Sequence, residues 1–286
     1  MSDNNQDKVT STESILDDTV LGKHADYPCV YTPSLLQSIP RQATRDGMFL
    51  YGDRLPFSGI DIWNAYELSW LNSRGKPEVA IAELRFPGNS TNLIESKSLK
   101  LYLNSFSETR FGSAYEVRQT MESDLSVNAK APVEVKITAL AQAKSLPIGN
   151  LPGDNLDELD AEIDCYEPDA SLMSVVLGKQ ITETLNTNLF RSVCPVTGQP
   201  DWGSFLVSYT GQPIKHEGLL KYFVSYRRHA AFHEQCVEKI FMDILQAAAP
   251  EKLTVYGRFV RRGGLDINPM RTNNGGVSEN VRLIRQ

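Results

Sequence analysis

Residues 98–106, SLKLYLNSF, decide the fold because their pattern returns in the second half of the chain. Their apolar side chains have the spacing of one helix face, at Leu99, Tyr102, Leu103 and Phe106. The motif LKLY at 99–102 is echoed by LKYF at 220–223, inside a second predicted helix. An echo of this kind in a chain of 286 residues predicts a duplicated unit.

The duplicated unit is predicted to follow the order strand, helix, helix, strand. Around the first helix, alternating apolar residues predict strands at 77–86 and 132–140. A further helix is predicted at 113–125, with Ser113 as its candidate cap. The matching segments of the second unit are 203–211, 218–227, 232–248 and 252–260. The chain is therefore predicted to be an α+β protein, and the groove between its two units is a common place for a ligand.

We divide the chain into four segments, which are an N-terminal arm at 1–45, a first unit at 46–145, a connector at 146–178 and a second unit at 179–286. Between Ser145 and Gly178 the chain has eight acidic residues and no lysine or arginine. This composition is typical of a solvated connector with acidic faces. The aromatic residues and leucines of 55–77 must pack against a core, although their pattern assigns them no element.

Composition and charge exclude several classes of protein. The hydrophobic content of 41% and the charged content of 22% are those of an ordinary globular protein. A net charge of −6 predicts no general attraction to nucleic acid or to an anionic membrane. The acidic N-terminus lacks the apolar core of a signal peptide, and no apolar run approaches the length of a membrane span. A chain this long needs no disulfides, so its four cysteines indicate a cytoplasmic protein with reduced thiols.

One cysteine, Cys194, lies in a stiff turn seven residues before Asp201. A cysteine between valine and proline is by default a small buried apolar residue. The turn, the nearby carboxylate and a candidate partner, His233, favour a nucleophile instead, since a thiol needs a lowered pKa to react well. The sequence leaves both interpretations open.

The motif FHE, residues 232–234, begins the long helix of the second unit. Glu234 fits a helix start, where a negative charge is favourable, but a carboxylate also matches the paired donors on the edge of a guanine-like base. Spacing alone does not decide between these roles. His229, His233 and Cys236 have the spacing of metal ligands, yet Cys236 belongs to the apolar stripe of the helix, so we predict no metal.

Two further motifs carry positive charge. Arg258, Arg261 and Arg262 precede Gly263 and Gly264, which is either a solvated turn or a phosphate clamp. The chain has no GxGxxG motif, so a dinucleotide would have to bind outside a Rossmann fold.

The motif ESKS at 95–98 consists of capping-type residues at a helix start. Capping alone could explain it. A helix start also offers free N–H groups to an anion, and Lys97 adds a positive charge.

Taken together, four motifs resemble the NADPH-dependent 7-cyano-7-deazaguanine reductases, the nitrile reductases of queuosine biosynthesis. They are ESKSLKLYLNSF at 95–106, the turn from Cys194 to Asp201, FHEQCVE at 232–238 and RRGGLDINP at 261–269. The resemblance is to the long form and runs from about residue 20 to the C-terminus. It implies tandem tunnelling-fold modules, each an antiparallel sheet with two helices on one face. The first module carries ESKS and the second carries the cysteine, and the chain is expected to form a homodimer.

The resemblance also implies a mechanism that uses two molecules of NADPH. Cys194 adds to the nitrile carbon to give a thioimide, Asp201 donates a proton, and His233 assists proton transfer during reduction to the aminomethyl product. The residues implied to bind the substrate 7-cyano-7-deazaguanine are Ile94, Glu95, Ser96, Phe232, His233 and Glu234. Those implied to bind NADPH are Ser96, Lys97, Arg262 and Gly263. No direct contact with nucleic acid or membrane is implied.

Two rival functions remain open from the residues alone. A cysteine hydrolase using Cys194 and His233 would release ammonia and consume no NADPH. A catalytically silent purine- or pterin-binding protein of the same fold would bind the base and form no thioimide.

Overall fold

The computed structural model describes residues 27–48, 50, 54–143, 148–276 and 279–286 of the chain. Residues 1–26 of the predicted N-terminal arm and residues 146–147 of the predicted connector lie outside this part. No helix within the described ranges is long and apolar enough to cross a membrane.

The α-helices of the described part are α1 (Arg41–Arg45), α2 (Ser96–Asn104), α3 (Ala114–Ala129), α4 (His216–Ser225) and α5 (His233–Ala248). The strands are β1 (Ser38–Pro40), β2 (Ser58–Leu71), β3 (Pro77–Pro87), β4 (Asn92–Ile94), β5 (Glu134–Ala139), β6 (Ile148–Gly149), β7 (Asp154–Asn155), β8 (Ile181–Val193), β9 (Pro200–Gly211), β10 (Lys252–Phe259), β11 (Leu265–Thr272) and β12 (Arg282–Leu283). Short 3₁₀ helices cover Pro33–Leu35, Asp46–Met48, Ala170–Leu172 and Tyr226–Arg228. Every helix and strand predicted from the sequence is present, with ends that differ by a few residues.

Side-chain caps fix where the helices of the first unit begin. The Glu95 carboxylate accepts hydrogen bonds from the N–H groups of Lys97 and Ser98 over 2.8 and 2.7 Å, so α2 starts at Ser96. Ser113 accepts from the Glu116 N–H over 3.3 Å, which confirms it as the cap of α3. The capping interpretation of the ESKS motif is therefore confirmed for Glu95.

Three long strands were missing from the sequence prediction, namely β2, β8 and β11. In β2, residues 61–65 are buried one after another, so the alternation that marks a half-exposed strand is absent. Both β2 and β8 also carry a bulge against their neighbours, at Ala65/Leu68 and Thr187/Phe190, which shifts the period in mid-strand. The aromatic segment that had no assigned element is thus the strand β2.

The strands form an eight-stranded sheet in the order β5-β3-β2-β11-β10-β9-β8-β7. From β5 to β8 each strand is antiparallel to the next one, and the short β7 is parallel to β8. Strand β2 pairs with β11 from Ala65↔Leu265 to Ser58↔Thr272. This pairing joins the two units edge to edge into one continuous sheet. The predicted α+β fold of tandem antiparallel units is confirmed, whereas the domain boundaries drawn from the sequence stay a prediction.

In each unit two helices pack against the sheet, and a separate hydrophobic core lies between the helices and the strands. Helices α2 and α3 pack on β2 and β5, while α4 and α5 pack on β8, β10 and β11. A buried tyrosine ties the two helices of each pair together: Tyr102 Oη donates to Asp124 over 2.7 Å, and Tyr222 Oη donates to Asp243 over 2.5 Å. The LKLY and LKYF motifs therefore occupy equivalent helices.

Candidate active site

A cleft between the two units contains most of the residues predicted from the sequence. It lies where β4 ends and where β9 and α5 begin. The predicted site residues that line it are Ile94, Ser96, Cys194, Asp201, Phe232, His233, Glu234 and Arg262. Of the others, Lys97 and Gly263 line a neighbouring cleft, and Glu95 caps α2.

Cys194 begins the tight turn that joins β8 to β9. Its N–H donates to the Gln199 carbonyl over 2.8 Å, and its carbonyl accepts from the Gly198 N–H over 3.0 Å. Gly198 has a φ of 68°, a conformation that favours glycine. Cys194 is 4% exposed and lines the cleft, so the turn holds the sulfur at the ligand-facing surface.

The surroundings of the Cys194 sulfur favour a thiolate. Burial alone would raise the pKa of this thiol, but hydrogen-bond donors outweigh burial. The hydroxyl and N–H of Thr197, the Val196 N–H and the Arg262 side chain hold the thiol pKa below its usual range. Thr197 Oγ1 has no partner elsewhere in the described residues. A larger thiolate fraction at neutral pH makes Cys194 a better nucleophile.

Asp201, the second residue of β9, is paired with two basic side chains. Its carboxylate lies 3.4 Å from His233 Nε2 and 3.4 Å from an Arg262 Nη atom. Burial would raise the pKa of Asp201, but His233 and Arg262 hold it below its usual range. Asp201 is therefore ionised near neutral pH and donates a proton only after receiving one, for which His233 is the nearest group.

The ring of His233 is fixed by stacking. His233 is the first residue of α5, and its ring lies flat on Phe259, with centroids 3.7 Å apart and planes 2° apart. This stacking directs Nε2 to Asp201. Nδ1 is buried and has no hydrogen-bond partner among the described residues.

Glu234 is the buried carboxylate of the cleft. It is 5% exposed, and no lysine or arginine of the described part lies within 4 Å of its oxygens. Burial, and to a smaller extent the negative charge of Asp61, raises its pKa to about 7. The start of α5 is capped by Gln235, which accepts from the Phe232 N–H over 2.9 Å. Glu234 lines the cleft with a carboxylate that can accept hydrogen bonds from a ligand.

Glu95 is the predicted site residue whose side chain is already engaged. It is 1% exposed, and both of its carboxylate oxygens accept from the start of α2. Its N–H donates to the Gln37 carbonyl over 2.9 Å, beside the pairing of β1 with β4. Glu95 therefore fixes the positions of Ile94 and Ser96, and a direct contact with the base stays a prediction.

The neighbouring cleft combines two lysines and two glycines with the Glu67 carboxylate and several leucines. Lys97 and Lys100 of α2 face Gly263 and Gly264, which have φ values of 59° and 75°. A Cβ atom at Gly263 would lie 3.1 Å from Lys100 Cε, so the glycine keeps this space open. Lys100 was missed from the sequence, although its position three residues after Lys97 on the same helix was a usable signal. The two lysines suit an anionic group of a ligand, while the Glu67 carboxylate lies next to Gly264.

The arginines before Gly263 have separate roles. Arg258 is 1% exposed and donates to Gln286 and Asn280, so it is structural. The Arg261 guanidinium lies 5.4 Å above the Tyr66 ring. Arg262 lines the cleft and also donates to Gln199 Oε1 over 2.7 Å. The basic residues that line the two clefts and could contact a phosphate are therefore Arg262, Lys97 and Lys100.

Known proteins match both halves of the chain. Residues 27–137 match the family described as nitrile reductase, 7-cyano-7-deazaguanine-reductase N-term, and residues 200–276 match the family described as QueF-like protein. A solved structure, the archaeosine synthase QueF-Like in the apo form, covers 36% of this chain and 100% of its own. It has 18% identity and a TM-score of 0.30.

Curated relatives match nearly the whole chain. An NADPH-dependent 7-cyano-7-deazaguanine reductase of Bordetella parapertussis is 52% identical over 272 residues, which cover 95% of this chain and 99% of the relative. A protein of the same name from Burkholderia pseudomallei is 52% identical over 268 residues, covering 93% and 97%. The resemblance drawn from the four motifs is confirmed, and the chain belongs to the family of NADPH-dependent 7-cyano-7-deazaguanine reductases.

Proposed function

We propose that this chain reduces the nitrile of 7-cyano-7-deazaguanine to the primary amine 7-aminomethyl-7-deazaguanine with two NADPH, in the biosynthesis of queuosine in tRNA. The proposal rests chiefly on one cleft that contains a thiol with a lowered pKa, a carboxylate paired with a histidine, and the buried carboxylate of Glu234, which has no lysine or arginine of the described residues within 4 Å. Membership of the reductase family supports it.

In the first step, Cys194 acts as the nucleophile. Its thiolate forms a bond to the nitrile carbon, one electron pair of the triple bond moves to nitrogen, and that nitrogen takes a proton from Asp201. Because Asp201 starts as a carboxylate, this proton reaches it from His233, whose Nε2 lies 3.4 Å away. A thiolate suits the task because it adds readily and leaves readily. The covalent bond also holds the substrate in place during reduction.

Recognition of the base is assigned to the start of α5 and the end of β4. The Glu234 carboxylate accepts the adjacent N–H and amino donors of the guanine-like edge, with His233 beside it. Phe232 and Ile94 line the same cleft and provide apolar contact, and Ser96 adds a polar group from the other unit.

NADPH is assigned to the neighbouring cleft and to the adjoining edge of the first cleft. The residues that would hold it are Ser96 and Lys97 at the start of α2, together with Arg262 and Gly263, and Lys100 is added from the structure. Their positive charges suit phosphate groups, and the glycine allows close approach of the backbone. When bound, NADPH supplies the hydride for each of the two reductions.

We also propose that the protein is a cytoplasmic homodimer that does not bind nucleic acid directly. The net charge of −6 supports the absence of a general attraction to nucleic acid. The division of the chain at residues 45, 145 and 178 is retained as part of this proposal.

A stoichiometric assay tests the proposed function. The purified protein is mixed with 7-cyano-7-deazaguanine and NADPH, and the cofactor absorbance and the amine product are measured together. We expect two NADPH consumed for each amine formed. Release of ammonia without NADPH consumption would identify the hydrolase instead, and binding of the base without either product would identify the silent binding protein.

A further inference from the structure

Five buried charged side chains form an ionic cluster behind Glu234, and the proposed reaction uses none of them. The members are Arg41 and Arg45 of α1, Asp61 of β2, Glu238 of α5 and Arg271 of β11, each at most 6% exposed. They connect the segment before the first unit to both units. We refer to them as the ionic cluster.

Hydrogen bonds saturate the two carboxylates of the ionic cluster. Asp61 accepts from Arg41 on one oxygen and from Arg271, over 2.7 Å, on the other. Glu238 accepts from Arg45 over 2.9 and 2.7 Å and from Arg271 over 3.0 and 2.8 Å. Within the cluster, three arginines therefore face two carboxylates, which leaves one positive charge in excess.

Glu234 is placed to balance that excess charge. It precedes Glu238 by one turn of α5, so both side chains lie on the same face of the helix. An uncompensated buried charge is costly, and an ionised Glu234 brings the local sum to zero. A neutral Glu234 would leave the positive charge unbalanced.

Charges of opposite sign act on the Glu234 carboxylate from different elements. Asp61 of β2 disfavours its ionised form, while Arg41 of α1 and the neighbouring His233 favour it. Arg271 and Glu238 complete the charged surroundings through their contacts with Asp61 and with each other. Burial together with these neighbours raises the pKa of Glu234 to about 7, so the loss of one neighbouring charge should change the fraction of Glu234 that is ionised near neutral pH.

We propose that Asp61 and Arg41 set the protonation of Glu234 and thereby the pH range over which the cleft recognises its base. They are positioning residues, since they act through Glu234 and do not line the cleft. This inference rests on the proposed role of Glu234 in binding the base. It also gives the segment around α1 a function, which is to bring the Arg41 charge into the ionic cluster that acts on the recognition carboxylate.

The sign of the pH dependence follows from the ligand. The base offers donors, so it binds the ionised form of Glu234, and affinity is lost as pH falls through the pKa of this group. Asp61→Asn removes a negative neighbour, so the loss should move to lower pH. Arg41→Gln removes a positive neighbour, so the loss should move to higher pH. Damage to the fold would weaken binding in both variants without shifting the two profiles in opposite directions.

The experiment measures the Kd of 7-cyano-7-deazaguanine against pH by calorimetry, in a Cys194→Ala background that prevents covalent capture. We expect opposite shifts of roughly one pH unit, which is a tenfold change in Kd at a fixed pH on the acid side. Lys239→Gln is the matched control, because it removes one positive charge of α5 that pairs with Asp243 and lies outside the ionic cluster; its profile should keep the parent midpoint. Arg41→Lys, which retains the charge, should restore most of the parent profile.

The outcomes separate the two levels of the proposal. If the Cys194→Ala protein binds no base at any pH, the proposed role of the cleft fails. If it binds base but Asp61→Asn leaves the midpoint unchanged or moves it to higher pH, the inference about the ionic cluster is overturned. Thermal unfolding of each variant shows which ones are folded. If Arg41→Gln is unfolded, the pH midpoints of Asp61→Asn and Arg41→Lys alone test the role of the ionic cluster.

Discussion

The turn at 72–76 and the turn at 194–199 occupy equivalent places in the two units, yet one of them carries a thiol. Each turn joins the first two long strands of its unit. In both, the N–H of the first residue donates to the carbonyl of the last, over 2.9 Å for Asn72 and 2.8 Å for Cys194. In both, a glycine N–H donates back to the carbonyl of the first residue. The backbone framework is therefore shared.

The first side chain of each turn shows what this framework offers. Asn72 Oδ1 accepts from the N–H groups of Arg74 and Lys76 over 3.0 and 3.1 Å. In the second turn, N–H groups at Val196 and Thr197 serve the Cys194 sulfur in the same way. A turn that binds an oxygen acceptor in one unit thus stabilises a thiolate in the other. The chemistry comes from the residue placed in the turn, while the turn supplies the donors.

The second helix of each unit, α3 in the first and α5 in the second, also differs in the residues placed at its start. In the first unit Ser113 caps α3, and the first two helical residues are Ala114 and Tyr115. In the second unit Gln235 accepts from the Phe232 N–H, and the positions equivalent to Ala114 and Tyr115 hold His233 and Glu234. The first turn of α5 therefore carries two titratable side chains that line the cleft, where α3 has alanine and tyrosine.

Replacing the thiol should have the largest effect. Cys194→Ala removes the nucleophile but leaves Glu234 and the apolar wall of the cleft, so turnover should fall below detection while the base still binds. NADPH oxidation and calorimetry measure the two properties. Cys194→Asn, which copies the first turn, should fold normally and be equally inactive. Retained NADPH oxidation in either variant would show that Cys194 is not the nucleophile.

Removing the proton donor should have the next largest effect. Asp201→Asn keeps the shape but cannot transfer a proton, and general acid help is worth roughly 10²–10⁴-fold. The rate of adduct formation, followed by stopped-flow absorbance without NADPH, should fall by that factor. Glu78→Gln, the equivalent change in the first unit, is the control and should leave the rate unchanged. An unaltered rate in Asp201→Asn would assign the proton to His233.

Glu234→Gln should weaken recognition more than chemistry. Glutamine has one acceptor oxygen, and its NH₂ group would face the donors of the base; each unpaired buried donor costs about 1–3 kcal/mol, or roughly 5- to 150-fold in Kd. Calorimetry measures this loss, and the rate of adduct formation at saturating base should change less. A variant with normal Kd and lost turnover would make Glu234 catalytic instead.

The smallest effect is expected from Thr197→Val, which removes one donor near the sulfur. Since the thiol pKa is held below its usual range in part by this hydroxyl, the variant should need a higher pH to form the thiolate. The pH dependence of alkylation by iodoacetamide measures this shift, and adduct formation at pH 7 should slow by roughly tenfold or less. Thr197→Ser should behave like the parent. An alkylation profile that does not move would exclude the hydroxyl as a stabilising group.

Much of the site could be predicted from the sequence because its motifs are local. Cys194 and Asp201 share one turn, and His233 and Glu234 share one helix start. The strand β2 could not be predicted, since burial on both faces and a bulge erase its alternation. The ionised state of Asp201 was also hidden, because it depends on His233 and Arg262, which come together only in the folded chain.

The most direct test of the account is mass spectrometry of the protein mixed with 7-cyano-7-deazaguanine in the absence of NADPH. Addition of the thiol to the nitrile needs no cofactor and loses no atoms, so the intact mass should rise by one molecule of base. Peptide mapping should place that mass on Cys194, and the Cys194→Ala protein should gain none. An unchanged mass under conditions where calorimetry shows the base is bound, or a label on another residue, would contradict the assignment of Cys194 as the nucleophile.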